Sequence, residues 1–423
     1  MNFYLGIDFG TSGARGVVID ASGAVRAEAR YDFGGLITLS WPQLWQQALF
    51  AIIGEIPPPV RRSLCGIAIN GTSATVMLCD RTGTPVAEPI LYNDARGVQV
   101  LNTLRAVAPP NHPTISATSS LAKLLWWFDS TLGGFSAKGL YFLHQTDWLS
   151  FLLHGQLGVT DYHNALKLGG DPDRMSYPDW FSQLKTPLPH LPKIVKPGTP
   201  VAELRPEIAD EFGISRGCLI GAGTTDSIAA FLASGAKAPG EASTSLGSTL
   251  VLKLLSTVRI DDAEKGIYSH RLGDLWLAGG ASNTGGAVLR QFFTNEELAA
   301  LSRRINPLQE SPLYYYPLVK PGERFPVNDP HLPPNLSPQP TDPVAFLHGL
   351  LESIARIEAR GYQLLAELGA EPVQRVYTAG GGAQNPTWTA IRQRQLGVPV
   401  VPSLSPEAAF GTALLVRDGK GGD

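Results

Sequence analysis

Hydrophobic and polar positions at the start of the chain follow a pattern that predicts a β-hairpin. Two apolar runs, Leu5–Ile7 and Val17–Ile19, flank a loop of glycines and hydroxyl residues at positions 10–13. Such runs around a tight glycine-containing turn are typical of paired antiparallel strands. The block Glu241–Leu255 repeats the pattern, with its own hydroxyl and glycine turn at Ser245–Thr249. We therefore expect two similar hairpins in this chain.

Helices and further strands are predicted after each hairpin. Apolar residues recur at helical spacing over Trp41–Ile56, and Asp342-Pro343 has the residue types that begin a long helix. Short strands are predicted at 66–70 and Arg375–Ala379. The resulting order of hairpin, strand, helix, strand and helix occurs twice. This order predicts an α/β fold with a ligand-binding cleft between two lobes, because glycine turns follow the strand ends.

Length, charge and cysteine usage narrow the class of protein. The chain has 423 residues, which predicts two domains, and we place them at 1–234 and 235–423. A net charge of -3 provides no attraction for nucleic acid or an acidic membrane surface. Three cysteines outside any metal-binding spacing indicate a reduced protein. The N-terminus lacks the pattern of a signal peptide, and no apolar run reaches about 18 residues. A cytoplasmic protein is expected.

The first turn has the composition of a phosphate-binding loop. Glycines allow a ligand to approach the backbone, and successive N–H groups in such a turn attract anions. Asp8 ends the preceding strand and faces the same space. A carboxylate beside phosphate needs a cation between them, and Mg²⁺ binds carboxylate and phosphate oxygens together. The pattern therefore indicates Mg-nucleotide chemistry, with an ordinary hairpin turn as the alternative.

Motifs of other nucleotide-binding and hydrolytic enzymes do not occur in the sequence. The chain contains no G-x-x-x-x-G-K-[ST] loop, and no G-x-G-x-x-G follows a predicted strand. It also lacks the G-x-S-x-G of hydrolases. These observations exclude the P-loop kinases and disfavour dinucleotide binding.

Three glycine-containing motifs resemble those of the FGGY carbohydrate kinases, a family of the actin, hexokinase and Hsp70 ATPase superfamily. They are D-F-G-T-S-G-A-R at 8–15, S-L-G-S-T at 245–249 and A-G-G-G-A-Q-N-P at 379–386. Further similar stretches, including T-D-Y-H-N-A at 160–165, extend the resemblance over nearly the whole chain. Within the family, the chain resembles the group of small D-ribulose kinases that are similar to xylulose kinase. The resemblance implies two ribonuclease H-like, actin-like ATPase domains with a catalytic cleft between them.

The resemblance also implies roles for individual residues. Asp226, at the end of C-L-I-G-A-G-T-T-D, matches the family's catalytic base, although a helix N-cap is the local alternative. Asp8 would hold Mg²⁺, and the adenosine of ATP would lie against the third motif. The residues expected to bind the nucleotide are Gly10, Thr11, Ser12, Gly13, Gly247, Ser248, Thr249, Gly380, Gly381, Gly382 and Asn385.

A polar cluster is expected to bind the sugar. The segment Y-N-D-A-R at 92–96 looks like the sugar-contact segment of pentulose kinases. Donors and acceptors in such a cluster discriminate against analogues that lack hydroxyl groups. The residues expected to bind substrate are Asp8, Ser12, Gly13, Ser73, Asn93, Asp94, Arg96 and Asp226.

The expected function is ATP-dependent phosphorylation of a terminal hydroxyl of a ketopentose, with D-ribulose favoured. The alternatives are a D-xylulose kinase, a glycerol or polyol kinase, and an actin- or Hsp70-type ATPase with weak or no sugar turnover. The expected partners are the sugar and ATP, without nucleic acid or membrane, and the expected state is a monomer or homodimer.

Overall fold

The computed structural model describes residues 2–34, 39–129 and 131–419. Packing separates two compact units, Met1–Ala233 with Glu407–Asp423, and Ser234–Pro406. Within the described ranges, no helix combines the length and the apolar character needed to cross a membrane.

The first unit is built on a mixed sheet. Its strands are β1 (Phe3–Phe9), β2 (Gly13–Asp20), β3 (Val25–Asp32), β4 (Leu64–Gly71), β5 (Val76–Cys79), β6 (Tyr141–His144), β7 (Val159–Asp161), β8 (Lys193–Val195), β9 (Pro200–Glu203), β10 (Leu219–Gly221) and β11 (Thr224–Thr225). The main sheet has the order β3–β2–β1–β4–β10–β9, and β11 also pairs with β4. β1 is antiparallel to β2 and parallel to β4, so the predicted first hairpin is confirmed.

Helices cover the sheet of this unit. They are α1 (Trp41–Glu55), α2 (Pro58–Arg61), α3 (Leu101–Val107), α4 (Ser120–Phe128), α5 (Gln145–His154), α6 (Tyr162–Leu166), α7 (Pro206–Phe212) and α8 (Asp226–Ser234). The apolar face of α1 packs with alternate residues of β1, including Leu5 and Ile7, in one buried core. The helical spacing predicted for this segment is therefore confirmed.

The second unit repeats the arrangement. Its strands are β12 (Glu241–Leu246), β13 (Leu250–Ser256), β14 (Tyr268–Leu272), β15 (Leu275–Ser282), β16 (Arg375–Ala379) and β17 (Val400–Pro402). Its helices are α9 (Gly286–Leu289), α10 (Asn295–Ser302), α11 (Pro343–Glu367) and α12 (Pro386–Leu396). The sheet order is β14–β15–β13–β12–β16–β17. β12 is antiparallel to β13 and parallel to β16, as β1 is to β2 and β4.

A buried ion pair stabilises the long helix of the second unit. Glu358 on α11 accepts two hydrogen bonds from the guanidinium of Arg392 on α12, at 2.6 and 2.7 Å. Both side chains are fully buried. Thr244 on β12 also donates to Glu358, at 2.6 Å. The N-terminus of α11 is capped by Asp342, whose carboxylate accepts from the Val344 N–H, as the sequence predicts.

The last helix, α13 (Ala408–Asp418), packs with the first unit. The sequence-based division placed this segment in the second domain, within 235–423, and the packing differs from that expectation. The packing of α13 on the first unit depends on Gly6 of β1, because a Cβ there would lie 2.1 Å from the Ala409 carbonyl oxygen. Asn70 on β4 donates to the hydroxyl of Thr412 at 2.7 Å. Close backbone approach and this buried hydrogen bond fix α13 on β1 and β4.

Candidate active site

The first hairpin turn is held by its own backbone. The N–H of Gly10 donates to the carbonyl of Gly13 at 3.0 Å, so this predicted phosphate donor is already engaged. Thr11 and Ser12 are exposed at the tip. A Cβ on Gly13 would lie 2.6 Å from the carbonyl oxygen of Tyr31 on β3, which explains why glycine occurs there. The turn therefore presents the hydroxyls of Thr11 and Ser12 beside open space.

The strand pairing brings Asp8 and Asp226 to the same edge of the sheet. Asp8 on β1 and Thr224 on β11 each pair with Asn70 on β4, which lies between them. Asp226 follows β11 directly and begins α8. Its carboxylate accepts from the N–H of Ser227 at 2.7 Å. Two of the predicted site residues, distant in sequence, are thus neighbours in the first unit.

The two carboxylates repel each other. Burial, and to a smaller extent repulsion by Asp226, raise the pKa of Asp8 to about 7, while Arg15 opposes the shift. Among the described residues, no group of three or more His, Cys, Asp or Glu side chains is placed to hold a metal ion. Mg²⁺ does not need such a group, because it binds through one or two carboxylates and the oxygens of a phosphate ligand. The donor set at Asp8 therefore fits Mg²⁺ brought in with a nucleotide.

A buried network supports the strand that leads to Asp226. His163 on α6 lies within 2.8 Å of the Thr224 hydroxyl through its Nδ1 atom. Asp161 caps α6 by accepting from the N–H groups of His163 and Asn164 at 2.8 and 3.0 Å. Burial raises the pKa of Asp161 to about 7. The sequence identified this stretch only through its family resemblance, and its contact with Thr224 was not predicted.

The predicted sugar segment is ordered by charge pairing and stacking. The guanidinium of Arg96 donates to both oxygens of Asp94, with its closest contact at 2.6 Å. This hydrogen bonding lowers the pKa of Asp94. Arg96 also lies over the ring of Trp126, 4.6 Å from its centroid. Asn93 is exposed and Ser73 is half-buried. Asp94 and Arg96 are therefore already paired, which leaves Asn93 the more accessible donor.

Lys123 joins the two loops that carry these residues. Its buried ammonium donates to the carbonyl oxygens of Ala74 and Leu91 at 2.8 and 2.7 Å. Ala74 has a positive φ of 68°, which is unfavourable for a residue with a side chain. Burial lowers the pKa of Lys123 to about 7, although Asp94 opposes the shift. Lys123 therefore fixes the backbone next to Ser73 through its hydrogen bond to the Ala74 carbonyl.

The second unit contains a cavity of about 690 Å³ around its hairpin turn and third motif. Five predicted nucleotide-binding residues line it, namely Gly247, Ser248, Gly381, Gly382 and Asn385. A Cβ on Gly381 would meet no atom within 4 Å, so the space in front of this glycine is open. Thr249 and Gly380 do not contribute to the lining. Gly380 turns the chain at φ 84°, where a Cβ would lie 2.6 Å from the Leu246 carbonyl oxygen.

Further side chains line the cavity that the sequence did not single out. Arg290 donates to the hydroxyl of Ser248 at 2.8 Å. Asn385 accepts from the Trp388 N–H at 3.1 Å and donates to Ser302 at 2.8 Å, so it caps α12 and lines the cavity as well. An arginine beside a hydroxyl and glycine turn, next to an open glycine surface, fits a nucleotide with its phosphates.

Comparison with known proteins agrees with this arrangement. The model of the FGGY family of carbohydrate kinases, N-terminal domain, matches residues 3–233, and that of the C-terminal domain matches residues 242–416. The chain belongs to the FGGY family of carbohydrate kinases. It is therefore a phosphotransferase that uses an alcohol group as acceptor, as predicted, and kinases of this family use ATP.

Individual FGGY kinases are similar over almost the whole chain. The chain is 24% identical to the xylulose kinase of Bacillus subtilis, covering 100% of this chain and 89% of that protein. It is 26% identical to the xylulose kinase of Streptomyces coelicolor, with 97% and 86% covered. The crystal structure of xylulose kinase from Rhodospirillum rubrum superposes with a TM-score of 0.84 at 21% identity, covering 100% and 90% of the chains. The predicted fold of two actin-like ATPase domains is confirmed.

Proposed function

We propose that this FGGY kinase transfers the γ-phosphate of ATP to a terminal hydroxyl of a ketopentose, D-xylulose or D-ribulose. The observation that carries the proposal is the pair of carboxylates at Asp8 and Asp226, which lie at one sheet edge beside a turn of hydroxyls. Phosphoryl transfer needs a metal-binding carboxylate and a base for the acceptor hydroxyl, and this pair supplies both.

Asp226 is the proposed base. Its position after β11 is supported by the bond between His163 and Thr224, which fixes the strand two residues earlier. A carboxylate within hydrogen-bond reach of an alcohol takes the proton as the oxygen attacks phosphorus. Asp8 is the proposed ligand for Mg²⁺, which would neutralise charge on the phosphates. The raised pKa of Asp8 favours this role, because a cation removes the repulsion between the carboxylates.

The second unit is the proposed nucleotide-binding unit. The open surface at Gly381 accommodates a flat ring, and the Asn385 amide lines the same cavity. Gly247 and Ser248 would bind phosphate oxygens together with Arg290. In the first unit, Thr11, Ser12 and Gly13 are the proposed phosphate contacts.

The acceptor is proposed from the polar segment and the relatives. Ser73, Asn93 and the Asp94–Arg96 pair supply donors and acceptors for several hydroxyl groups. The relatives named xylulose kinase favour D-xylulose, while the resemblance of the chain to the small D-ribulose kinases favours D-ribulose.

ADP release from Mg-ATP tests the proposal across D-xylulose, D-ribulose, L-ribulose, glycerol, erythritol and a blank without sugar. We expect one ketopentose to stimulate ADP release strongly and the polyols to stimulate it weakly. A preference for glycerol would contradict a ketopentose acceptor and indicate a polyol kinase. Equal rates in every well, including the blank, would contradict sugar phosphorylation and favour an ATPase of the same superfamily.

A further inference from the structure

Lys167 is a half-buried lysine of the first unit. It follows α6, and its carbonyl accepts from the Leu121 N–H at 3.1 Å. No side chain or backbone group in the described ranges forms a hydrogen bond or ion pair with its Nζ atom. Burial lowers the pKa of Lys167. The Asp226 carboxylate attracts this ammonium electrostatically, and the three donors of the ammonium are open to a ligand.

The fold directs Lys167 towards the end of β11. Lys167 lies four residues after His163 and keeps helical backbone angles, so the two side chains share one face of α6. His163 on that face contacts the Thr224 hydroxyl at 2.8 Å, two residues before Asp226. Lys167 is therefore held near the proposed base by the same helix that supports it.

Lys167 interacts electrostatically both with the proposed base and with a lysine next to the sugar segment. The carboxylate of Asp226 attracts its ammonium and opposes the lowering of the Lys167 pKa. Lys167 also repels Lys123 and contributes to the lowered pKa of that lysine, which Asp94 opposes. Asp226, Lys167, Lys123 and Asp94 thus form a connected group of interacting charges. The Lys123 ammonium donates hydrogen bonds to backbone carbonyls, whereas the donors of the Lys167 ammonium are not used within the described residues.

We propose that the Lys167 ammonium binds the acceptor directly, by donating to a hydroxyl or carbonyl oxygen of the ketose beside the hydroxyl that faces Asp226. This inference rests on the proposed function. An ammonium has three donors and no acceptor, so it selects an oxygen-rich acceptor such as an open-chain ketose. In the complex, a sugar oxygen would accept the hydrogen bond that this ammonium does not form among the described residues.

Kinetics of the Lys167→Met and Lys167→Arg variants test this contact, with D-xylulose and D-ribulose as acceptors. Losing a hydrogen bond to a charged group raises the KM of Lys167→Met for the sugar by about 10-fold to 100-fold. The KM for ATP and the slow hydrolysis of ATP without sugar stay within twofold. Lys167→Arg restores part of the sugar affinity. Lys193→Met is the matched control, because Lys193 is exposed on β8 of the same unit.

A sugar KM of Lys167→Met within twofold of wild type would overturn the proposal. An equal rise in both KM values with a lower melting temperature would also overturn it, because a merely structural residue behaves in that way. Failure of the wild type to use any sugar is a different result, which contradicts the proposed function itself.

Chemical labelling of the wild type gives a second test that needs no variant. Saturating sugar should reduce acetylation of Lys167 at pH 8 at least fivefold and leave Lys193 unchanged, as measured by peptide mass spectrometry. Equal labelling of Lys167 with and without sugar would overturn the contact even if Lys167→Met does not fold.

Discussion

The two hairpin turns lie at equivalent points of the two units and differ in charge. In the first unit, Asp8 precedes Gly10 by two residues, and in the second unit Ser245 precedes Gly247 by two residues. The first turn thus has a carboxylate with a pKa raised to about 7. The second has a hydroxyl in that place, with Arg290 bonded to Ser248. One backbone frame therefore suits a metal-bridged phosphate in the first unit and direct anion binding in the second.

Buried charges also differ between the two units in how far they are paired. Glu358 and Arg392 of the second unit satisfy each other beneath the sheet. In the first unit, the carboxylates of Asp8 and Asp226 repel each other, and the Lys167 ammonium forms no hydrogen bond within the described residues. The Glu358–Arg392 pair stabilises the fold of the second unit, whereas Asp8, Asp226 and Lys167 of the first unit are proposed to meet ligands.

The largest effect is expected for Asp226→Asn. An amide cannot accept the proton of the acceptor hydroxyl, so kcat for the sugar should fall by about 100-fold to 10,000-fold. Nucleotide binding, measured by calorimetry with Mg-ADP, should stay unchanged because the variant leaves the second unit intact. Asp80→Asn, in a turn where Asp80 bonds Thr82, is the control with normal activity. A loss of less than tenfold would remove Asp226 from the role of base.

A large loss of stability is expected for Glu358→Gln in the second unit. The change leaves the Arg392 charge buried without its counter-ion, which costs about 3–5 kcal/mol in the free energy of unfolding. Urea unfolding measures it. The matched control is Glu367→Gln on the same helix, which breaks a half-exposed pair with Arg360 and should cost less than about 1 kcal/mol. Equal losses for both variants would show that burial of the pair does not matter.

Arg290→Met should weaken nucleotide binding by about tenfold, because it removes a charged hydrogen-bond donor from the second turn. The sugar KM should remain within twofold of wild type. Arg304→Met is a suitable control, since Arg304 is an exposed arginine that does not line the cavity. If the two variants bind Mg-ATP equally well, Arg290 does not contact the phosphates.

The smallest effect concerns pH and Mg²⁺ at the first turn. The pKa of Asp8 is raised to about 7, so protonation competes with the metal below that pH. The Mg²⁺ concentration for half-maximal activity should fall about tenfold per unit as pH rises towards 7 and level off above it. Asp8→Asn should need more Mg²⁺ and lose this slope. A wild-type Mg²⁺ requirement independent of pH from 5.5 to 8 would contradict the assignment.

Local patterns predicted much of this fold. Alternating and helical apolar spacing identified both hairpins, α1 and α11, since these periodicities reflect burial on one face. Glycines and hydroxyls at the turns identified five residues that line the second-unit cavity. The proximity of Asp8 and Asp226 required the strand pairing through β4, and the sequence suggested it only through family resemblance.

Contacts between distant segments could not be predicted. The apolar residues of α13 indicate burial, but only the close approach to Gly6 decides which sheet buries them. Lys123 donates to carbonyls of two separate loops. The hydrophobic periodicity of its helix cannot predict these contacts, because they depend on how the loops pack. The local sequence does not indicate a role for Arg290, because its hydrogen-bond partner Ser248 lies 42 residues away.

The packing of α13 on β1 has a consequence for synthesis of the chain. Residues 234–406 are an insertion within the first unit, because the segment that completes β1 and β4 emerges from the ribosome after them. The second unit can acquire its full set of contacts while the first still exposes the apolar groove that α13 later covers. We therefore expect the N-terminal sheet to be a client for chaperones during translation and to become protease-resistant only after α13 has been synthesised.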